Sequence, residues 1–165
     1  MKVLIVEDEF PAAQRLSKMI LELRPDVEIL AVLDSIESSI EWLKKHDAPN
    51  LLFLDIHLAD GSSFEIFNHI TIQVPVIFTT AYHEYALKAF EVNSIDYLLK
   101  PVKKEQLEKA FAKYKNFSGG SVQQQSIGDL MQLLQPVPVY KARFMVQYAD
   151  KISTIDERQI AYFYS

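Results

Sequence analysis

The strongest constraint on this chain is the way its short apolar runs end. Lys2-Val3-Leu4-Ile5-Val6 stops at the acid pair Glu7-Asp8, and Leu51-Leu52-Phe53-Leu54 stops at Asp55. Val74-Pro75-Val76-Ile77-Phe78 stops at Thr79-Thr80-Ala81, and Asp96-Tyr97-Leu98-Leu99 stops at Lys100-Pro101. Runs this short, β-branched or wholly apolar and bounded by polar residues, read as buried strands. In an open parallel α/β sheet, binding sites form just beyond the carboxyl ends of the strands. Three carboxylates, a hydroxyl and an ammonium, far apart in sequence, are therefore expected at one rim.

Between the runs the pattern turns helical, with a period of about 3.6. Ala12, Ala13, Leu16, Met19, Ile20 and Leu23 fall on one helical face, with Pro11 suited to the first turn and Pro25 beyond the end. Val27 to Leu33 reads as a second strand, and Ile36, Ile40 and Leu43 mark a second helix. Asp60-Gly61 signals a turn, and Phe64, Phe67 and Ile70 begin a third helical stripe. Tyr85, Ala86, Ala89 and Phe90 trace a fourth, and Leu107, Ala110, Phe111 and Tyr114 a fifth. Five strands alternating with five helices imply right-handed βαβ units around a doubly wound parallel sheet of flavodoxin-like order, 2-1-3-4-5. That order puts the ends of the first and third strands, which carry Glu7, Asp8 and Asp55, at the switch point where a crevice opens.

The residue types at that rim suit phosphoryl transfer. Asp55 is the best nucleophile, since a carboxylate at a strand end is accessible and can form an acyl phosphate. Glu7, Asp8 and Asp55 offer hard oxygens for a divalent cation, Mg²⁺ being the natural choice because it keeps several waters and needs few protein ligands. The backbone carbonyl of His57 is a further candidate ligand. Lys100 supplies a mobile positive charge for a phosphoryl oxygen, and Thr80 a hydroxyl. Each residue alone has a duller role: Asp8 as an N-cap, Asp60 as a turn residue, the histidines as surface or packing groups. Convergence favours the chemical role, because three crowded carboxylates repel unless a cation neutralises them.

Composition narrows the function classes. The chain has 165 residues, 49% of them hydrophobic, which is enough for one domain and something extra. A net charge of −5 argues against this segment being a nucleic-acid surface in its own right. With no cysteine there are no disulfides and no thiolate chemistry, and no apolar stretch approaches the roughly 18 residues of a membrane span. A soluble, cytoplasmic protein is the expectation. From Asn116 the chain turns rich in Gly, Ser and Gln, as linkers are. Within that stretch Ile127, Leu130, Met131, Leu133 and Leu134 suggest either a short amphipathic helix or a frayed linker. Phe144-Met145-Val146 and Ile152 to Ile155 flank Ala149-Asp150-Lys151 as a hairpin, and the final run Ile160 to Ser165 suggests a second domain cut short.

Taken together, Glu7-Asp8, Asp55, Thr80-Ala81 and Lys100-Pro101 resemble the receiver domain of bacterial response regulators, over residues 1 to about 117. The resemblance implies that Asp55 takes a phosphoryl group from the phosphohistidine of a sensor histidine kinase, with Mg²⁺ on Glu7, Asp8 and Asp55. It implies that Thr80, Ala81 and Lys100 bind the phosphoryl group, that Thr80 and Tyr97 form the switch, and that the Lys100–Pro101 bond is cis. A phosphorylation-dependent homodimer is a further expectation. Residues 139–165, including Tyr140 to Val146 and Ile160 to Phe163, are similar to the start of a LytTR-type DNA-binding domain, with 118–138 as linker. That similarity makes DNA a partner of a longer protein, through residues that cannot be assigned in this chain. Two rivals remain. A Mg²⁺-dependent phosphatase would use Asp55 as nucleophile and His57 as acid. A flavin-binding electron carrier is disfavoured, since Glu7-Asp8-Glu9 would repel a phosphate.

Overall fold

Alternation along the strands decides which side of the sheet each residue faces. A computed structural model describes residues 1–82, 85, 89, 92, 94–118, 143–148 and 151–156. Five strands form one parallel sheet in the order β2 (Glu28–Leu33), β1 (Lys2–Val6), β3 (Leu51–Asp55), β6 (Val76–Thr80), β7 (Ser94–Leu99). This is the flavodoxin-like order expected. Two residue pairs, β4 (His57–Leu58) and β5 (Gly61–Ser62), form a small antiparallel ribbon beyond β3.

Val3, Ile5, Leu51, Phe53 and Ile77 point to one face and meet α1 (Phe10–Leu23) and α4 (Lys104–Ser118) through Leu16, Ile20, Leu107, Ala110 and Phe111. Leu4, Val6, Leu52, Leu54, Val76 and Phe78 point to the other, against Ile36 of α2 (Ile36–Lys45) and Ile66 of α3 (Glu65–His69). A strand buried on both sides has no polar alternation to show, which is why these runs read as continuously apolar. Phe53 and Phe111 meet edge-on at 6.0 Å, and Phe64 and Phe78 are tilted at 5.2 Å between centroids. Each fully buried Leu, Ile or Phe side chain contributes roughly 1.5–3 kcal/mol relative to exposure.

Several expectations shift at their edges. The fourth sheet strand starts at Val76 rather than Val74 and runs on through Thr79 and Thr80. The fifth begins at Ser94, before Asp96. Helix α1 is capped by the Glu9 position rather than Asp8, with no side-chain cap bond; Pro11 in its first turn has no N–H to satisfy. The fourth helical stripe is described only at Tyr85 and Ala89, where the Ala89 N–H donates to the Tyr85 carbonyl at 3.0 Å; Ala86 and Phe90 lie outside the described residues.

The hairpin is present as β8 (Arg143–Tyr148) and β9 (Lys151–Asp156). It closes on the pair Tyr148 and Lys151, so Lys151 belongs to the second strand and not to the turn. The stripe from Ile127 to Leu134 and the run from Ile160 to Ser165 lie outside the described residues.

Asp60 departs most from expectation. Besides occupying the turn, its carboxylate accepts the Ile36 N–H at 3.0 and 2.8 Å and the Glu37 N–H at 3.3 Å. It therefore caps α2 from 24 residues away and ties the small ribbon to that helix. The turn itself needs Gly61, whose φ of +137° is open to few side chains; an added Cβ would also sit 3.4 Å from Ile36 Cδ1. Ser35 supplies the local cap by accepting from the Ser38 N–H.

Candidate functional site

Strand pairing assembles the rim. Because Val6 lies opposite Leu54 in the parallel β1–β3 ladder, the next residues, Glu7 and Asp55, emerge side by side. Asp55 pairs with Thr79 on the other side, and the Lys100 N–H donates to the Thr80 carbonyl at 2.7 Å, which brings the end of β7 to the same edge. The Lys100–Pro101 peptide is cis, as expected.

Carboxylate oxygens of Glu7, Asp8 and Asp55 all lie within 4.8 Å of one another. Glu7 and Asp55 are buried, 3% and 4% exposed, whereas Asp8 is half-buried. Lys100 Nζ bridges the two buried acids, 2.6 Å from Glu7 Oε1 and 2.5 Å from Asp55 Oδ2. The His57 N–H donates to Asp55 Oδ1 at 3.1 Å. Both Asp55 oxygens are thus engaged, one by a neutral donor and one by a charge.

One ammonium does not neutralise three carboxylates. Burial, with repulsion from Asp55, pushes the Glu7 carboxyl up to about 7 despite the hydrogen bond from Lys100. For Lys100, burial acts to lower its value, but hydrogen bonds to Asp55 and Glu7 outweigh it and hold the ammonium above its ordinary range. The donor set is all oxygen and under electrostatic pressure, and it fits a hard divalent cation.

A cavity of about 280 Å³ opens over Asp55, walled by Asp8, His57, Ala81, Tyr82 and Lys100 among others. On one side its wall is aromatic. The His57 ring centroid lies 4.8 Å from those of both Tyr82 and Tyr85, and the two tyrosines are 6.4 Å apart. His57 is therefore a packing residue through its ring and a contact of Asp55 through its main-chain N–H. The sequence reading gave Tyr82 no part in the wall; its place two residues after Thr80 at the strand end was the available signal.

Thr80 is fully buried, and its Oγ1 accepts the Tyr82 N–H at 3.3 Å. Tyr97 lies inward, 7% exposed, and its hydroxyl donates to the Tyr82 carbonyl. Ala81 is exposed at the cavity edge. The structure thus brings Asp8, Asp55, His57, Ala81 and Lys100 around one cavity, with Glu7 beside Asp55 and Lys100 and with Thr80 next to Ala81 at the strand end. Among the described residues no helix is long and apolar enough to cross a membrane.

Comparison with known proteins agrees with this geometry. The family described as "Response regulator receiver domain" matches residues 3–112. The sensory transduction protein LytT of Bacillus anthracis is 43% identical over 118 residues, covering 70% of this chain and 47% of that protein. LytT of Enterococcus faecalis is 34% identical over 169 residues, covering 99% of this chain and 69% of its own length. The chain thus spans about half to two-thirds of the length of these relatives. Among solved structures, the response regulatory domain of protein mrkE from Klebsiella pneumoniae superposes with a TM-score of 0.61 at 32% identity, covering 71% of this chain and 97% of that one.

Proposed function

The chain belongs to the response regulator receiver family, and from that premise we propose that Asp55 accepts a phosphoryl group from the phosphohistidine of a sensor histidine kinase. The observation that carries this reading is the placement of Asp55 between Lys100 and two further acids at the floor of an open cavity. An Asp55 carboxylate oxygen attacks phosphorus, the P–N bond breaks, and its electron pair returns to the departing imidazole. Lys100, which already spans Glu7 and Asp55, re-pairs with a phosphoryl oxygen. Glu7, Asp8 and Asp55, with the His57 main-chain carbonyl, are the residues that would hold Mg²⁺. When bound, the cation offsets the negative charge on the transferring oxygens.

The signal then leaves the site through Thr80 and Tyr97. A phosphoryl group adds charge near −2 and three acceptor oxygens. Its oxygens accept the Thr80 O–H, while in this structure the Thr80 hydroxyl oxygen accepts from the Tyr82 N–H. Tyr97 is already inward here, so the change is better described as a shift in population than as a forced rotation. We assign residues 1–117 to the receiver, 118–138 to a linker and 139–165 to the beginning of a LytTR-type output domain. The names of the LytT relatives support a role in sensory transduction, and the similarity to a LytTR-type domain supports transcription control through DNA bound by a longer protein. A cytoplasmic location and a phosphorylation-dependent homodimer belong to the same reading. The phosphatase alternative gains no specific support: the acids and Lys100 serve both, and His57 meets Asp55 through its main chain.

Intact mass after incubation with acetyl phosphate and Mg²⁺ tests the proposal. One phosphoryl adduct is expected, lost in Asp55→Ala and without the cation. An unmodified wild-type protein, under conditions that phosphorylate another receiver, would overturn it.

A further inference from the structure

The turn of the β4–β5 ribbon carries a carboxylate that stands apart from the acid rim. Asp60 lies between Leu58 and Gly61, the pair that closes the ribbon. Its side chain leaves the ribbon to accept the Ile36 N–H at 3.0 and 2.8 Å and the Glu37 N–H at 3.3 Å. At the other end of the ribbon His57, paired with Ser62, donates its N–H to Asp55 Oδ1 at 3.1 Å. Apolar packing follows the same path, since Ile36 and Leu58 are buried in one cluster with Leu54 and Ile56. A second tie reaches the same helix start: the Glu7 N–H donates at 2.8 Å to the carbonyl of Leu33, where β2 ends just ahead of α2. The first turn of α2 is thus joined to both buried acids, to Glu7 through the end of β2 and to Asp55 through the ribbon.

We propose that Asp60 is a positioning residue for the cation site, acting through the ribbon, and that it couples α2 to occupancy of that site. The inference rests on Glu7, Asp8, Asp55 and the His57 main-chain carbonyl being the Mg²⁺ ligands. A main-chain ligand has no rotamer to adjust, so its place is that of the ribbon backbone. A ribbon of so few pairs does not fix its own shape. Its contact with α2 supplies an anchor, because the Asp60 carboxylate meets N–H groups that lack intrahelical partners at the positive end of the helix. With the tie in place the His57 main chain is held against Asp55, and cation binding has less chain freedom to remove. With the tie cut, binding must also order the ribbon, and it weakens. The coupling is reciprocal: a cation at the rim steadies the ribbon and, through Asp60, the first turn of α2. That helix packs on the sheet face opposite α4.

The test is a Mg²⁺ titration of the whole chain at constant pH and ionic strength, followed by amide proton and nitrogen shifts. The Asp8 and His57 amides report the site, and the Ile36 and Glu37 amides report α2. Wild type is compared with Asp60→Ala, Asp60→Asn and Ser35→Ala. The last removes the local cap, which accepts from the Ser38 N–H at 3.3 Å, and loosens α2 without touching the ribbon. In wild type all four amides should shift with one midpoint. Asp60→Ala should bind Mg²⁺ about 3- to 10-fold more weakly, less than the loss of a group bonded directly to a metal ligand, and its Ile36 and Glu37 amides should stop responding. Asp60→Asn keeps an acceptor oxygen and should stay within about 2-fold of wild type. Ser35→Ala should bind as wild type does. Unchanged affinity in Asp60→Ala, or equal weakening in Ser35→Ala, would overturn the positioning role and leave the acid site standing. An Asp60→Asn protein as weak as Asp60→Ala would assign the effect to charge alone and overturn it as well. No Mg²⁺-dependent shift at Asp8 or His57 in wild type would overturn the cation site and this inference with it.

Discussion

Glu7 shows how the acidic rim sets the energetics of the site. Its carboxyl is pushed up to about 7 in the folded protein, from an ordinary value of 4.5. Between those values the folded state holds a proton that the unfolded chain has released, so stability falls as pH rises through the window and levels off above about 7. In the presence of a chelator, Glu7→Gln should remove this slope and leave the protein more stable at about pH 8, by on the order of 1 kcal/mol. Urea unfolding of both proteins at about pH 5 and about pH 8 measures it. Equal pH slopes would show that Lys100 already compensates Glu7 fully. Adding Mg²⁺ should stabilise wild type more than the variant, because a ligand that binds only the folded state shifts unfolding in proportion to its affinity.

Among the elements, α2 depends on a residue outside itself. Its first N–H groups have no intrahelical partner, and the carboxylate of Asp60 meets those of Ile36 and Glu37. The same contact holds the β4–β5 ribbon, which follows directly on Asp55 and includes His57. Asp60→Ala should cost about 1 kcal/mol in global unfolding. Hydrogen exchange should quicken first at the Ile36 and Glu37 amides, and Asp60→Asn should recover most of the loss. No change in exchange at those two amides would mean that Ser35 caps the helix unaided. On the opposite face, Lys113 of α4 pairs with Asp96 of β7 at 2.8 Å, with the Asp96 side chain 10% exposed. That pair ties α4 to the strand that carries Tyr97, the proposed switch residue.

At the scale of the whole molecule, the sheet is a rigid platform. Its two faces are packed against helices, and the candidate site lies at the carboxyl ends of its strands. A platform of this kind transmits a local charge change by re-seating a few side chains rather than by deforming the core. If phosphorylation exposes a face that pairs two copies, the sedimentation mass of the phosphorylated protein should move toward twice that of the unmodified chain. It should return as the acyl phosphate decays. An unchanged mass at full phosphorylation would remove dimerisation from the proposed function and leave release of an attached domain as the output.

Much of this architecture was legible in the residues alone. Period-3.6 patterning is local, and burial on both faces leaves a clear trace in wholly apolar runs such as Leu51 to Leu54. The acids at the strand ends could therefore be assigned to one rim before any coordinates. The edges were less legible, because the starts of the strands at Val76 and Ser94 depend on which neighbour each strand meets. Only the tertiary structure decided that Lys100 bridges Glu7 and Asp55, that Asp60 reaches the end of α2, and that Tyr97 bonds to the carbonyl of Tyr82. Each joins residues distant in sequence through side-chain approaches of about 3 Å or less, within ordinary hydrogen-bonding range. Periodicity states which face a residue occupies; it carries no record of which atom on a distant segment that residue will touch.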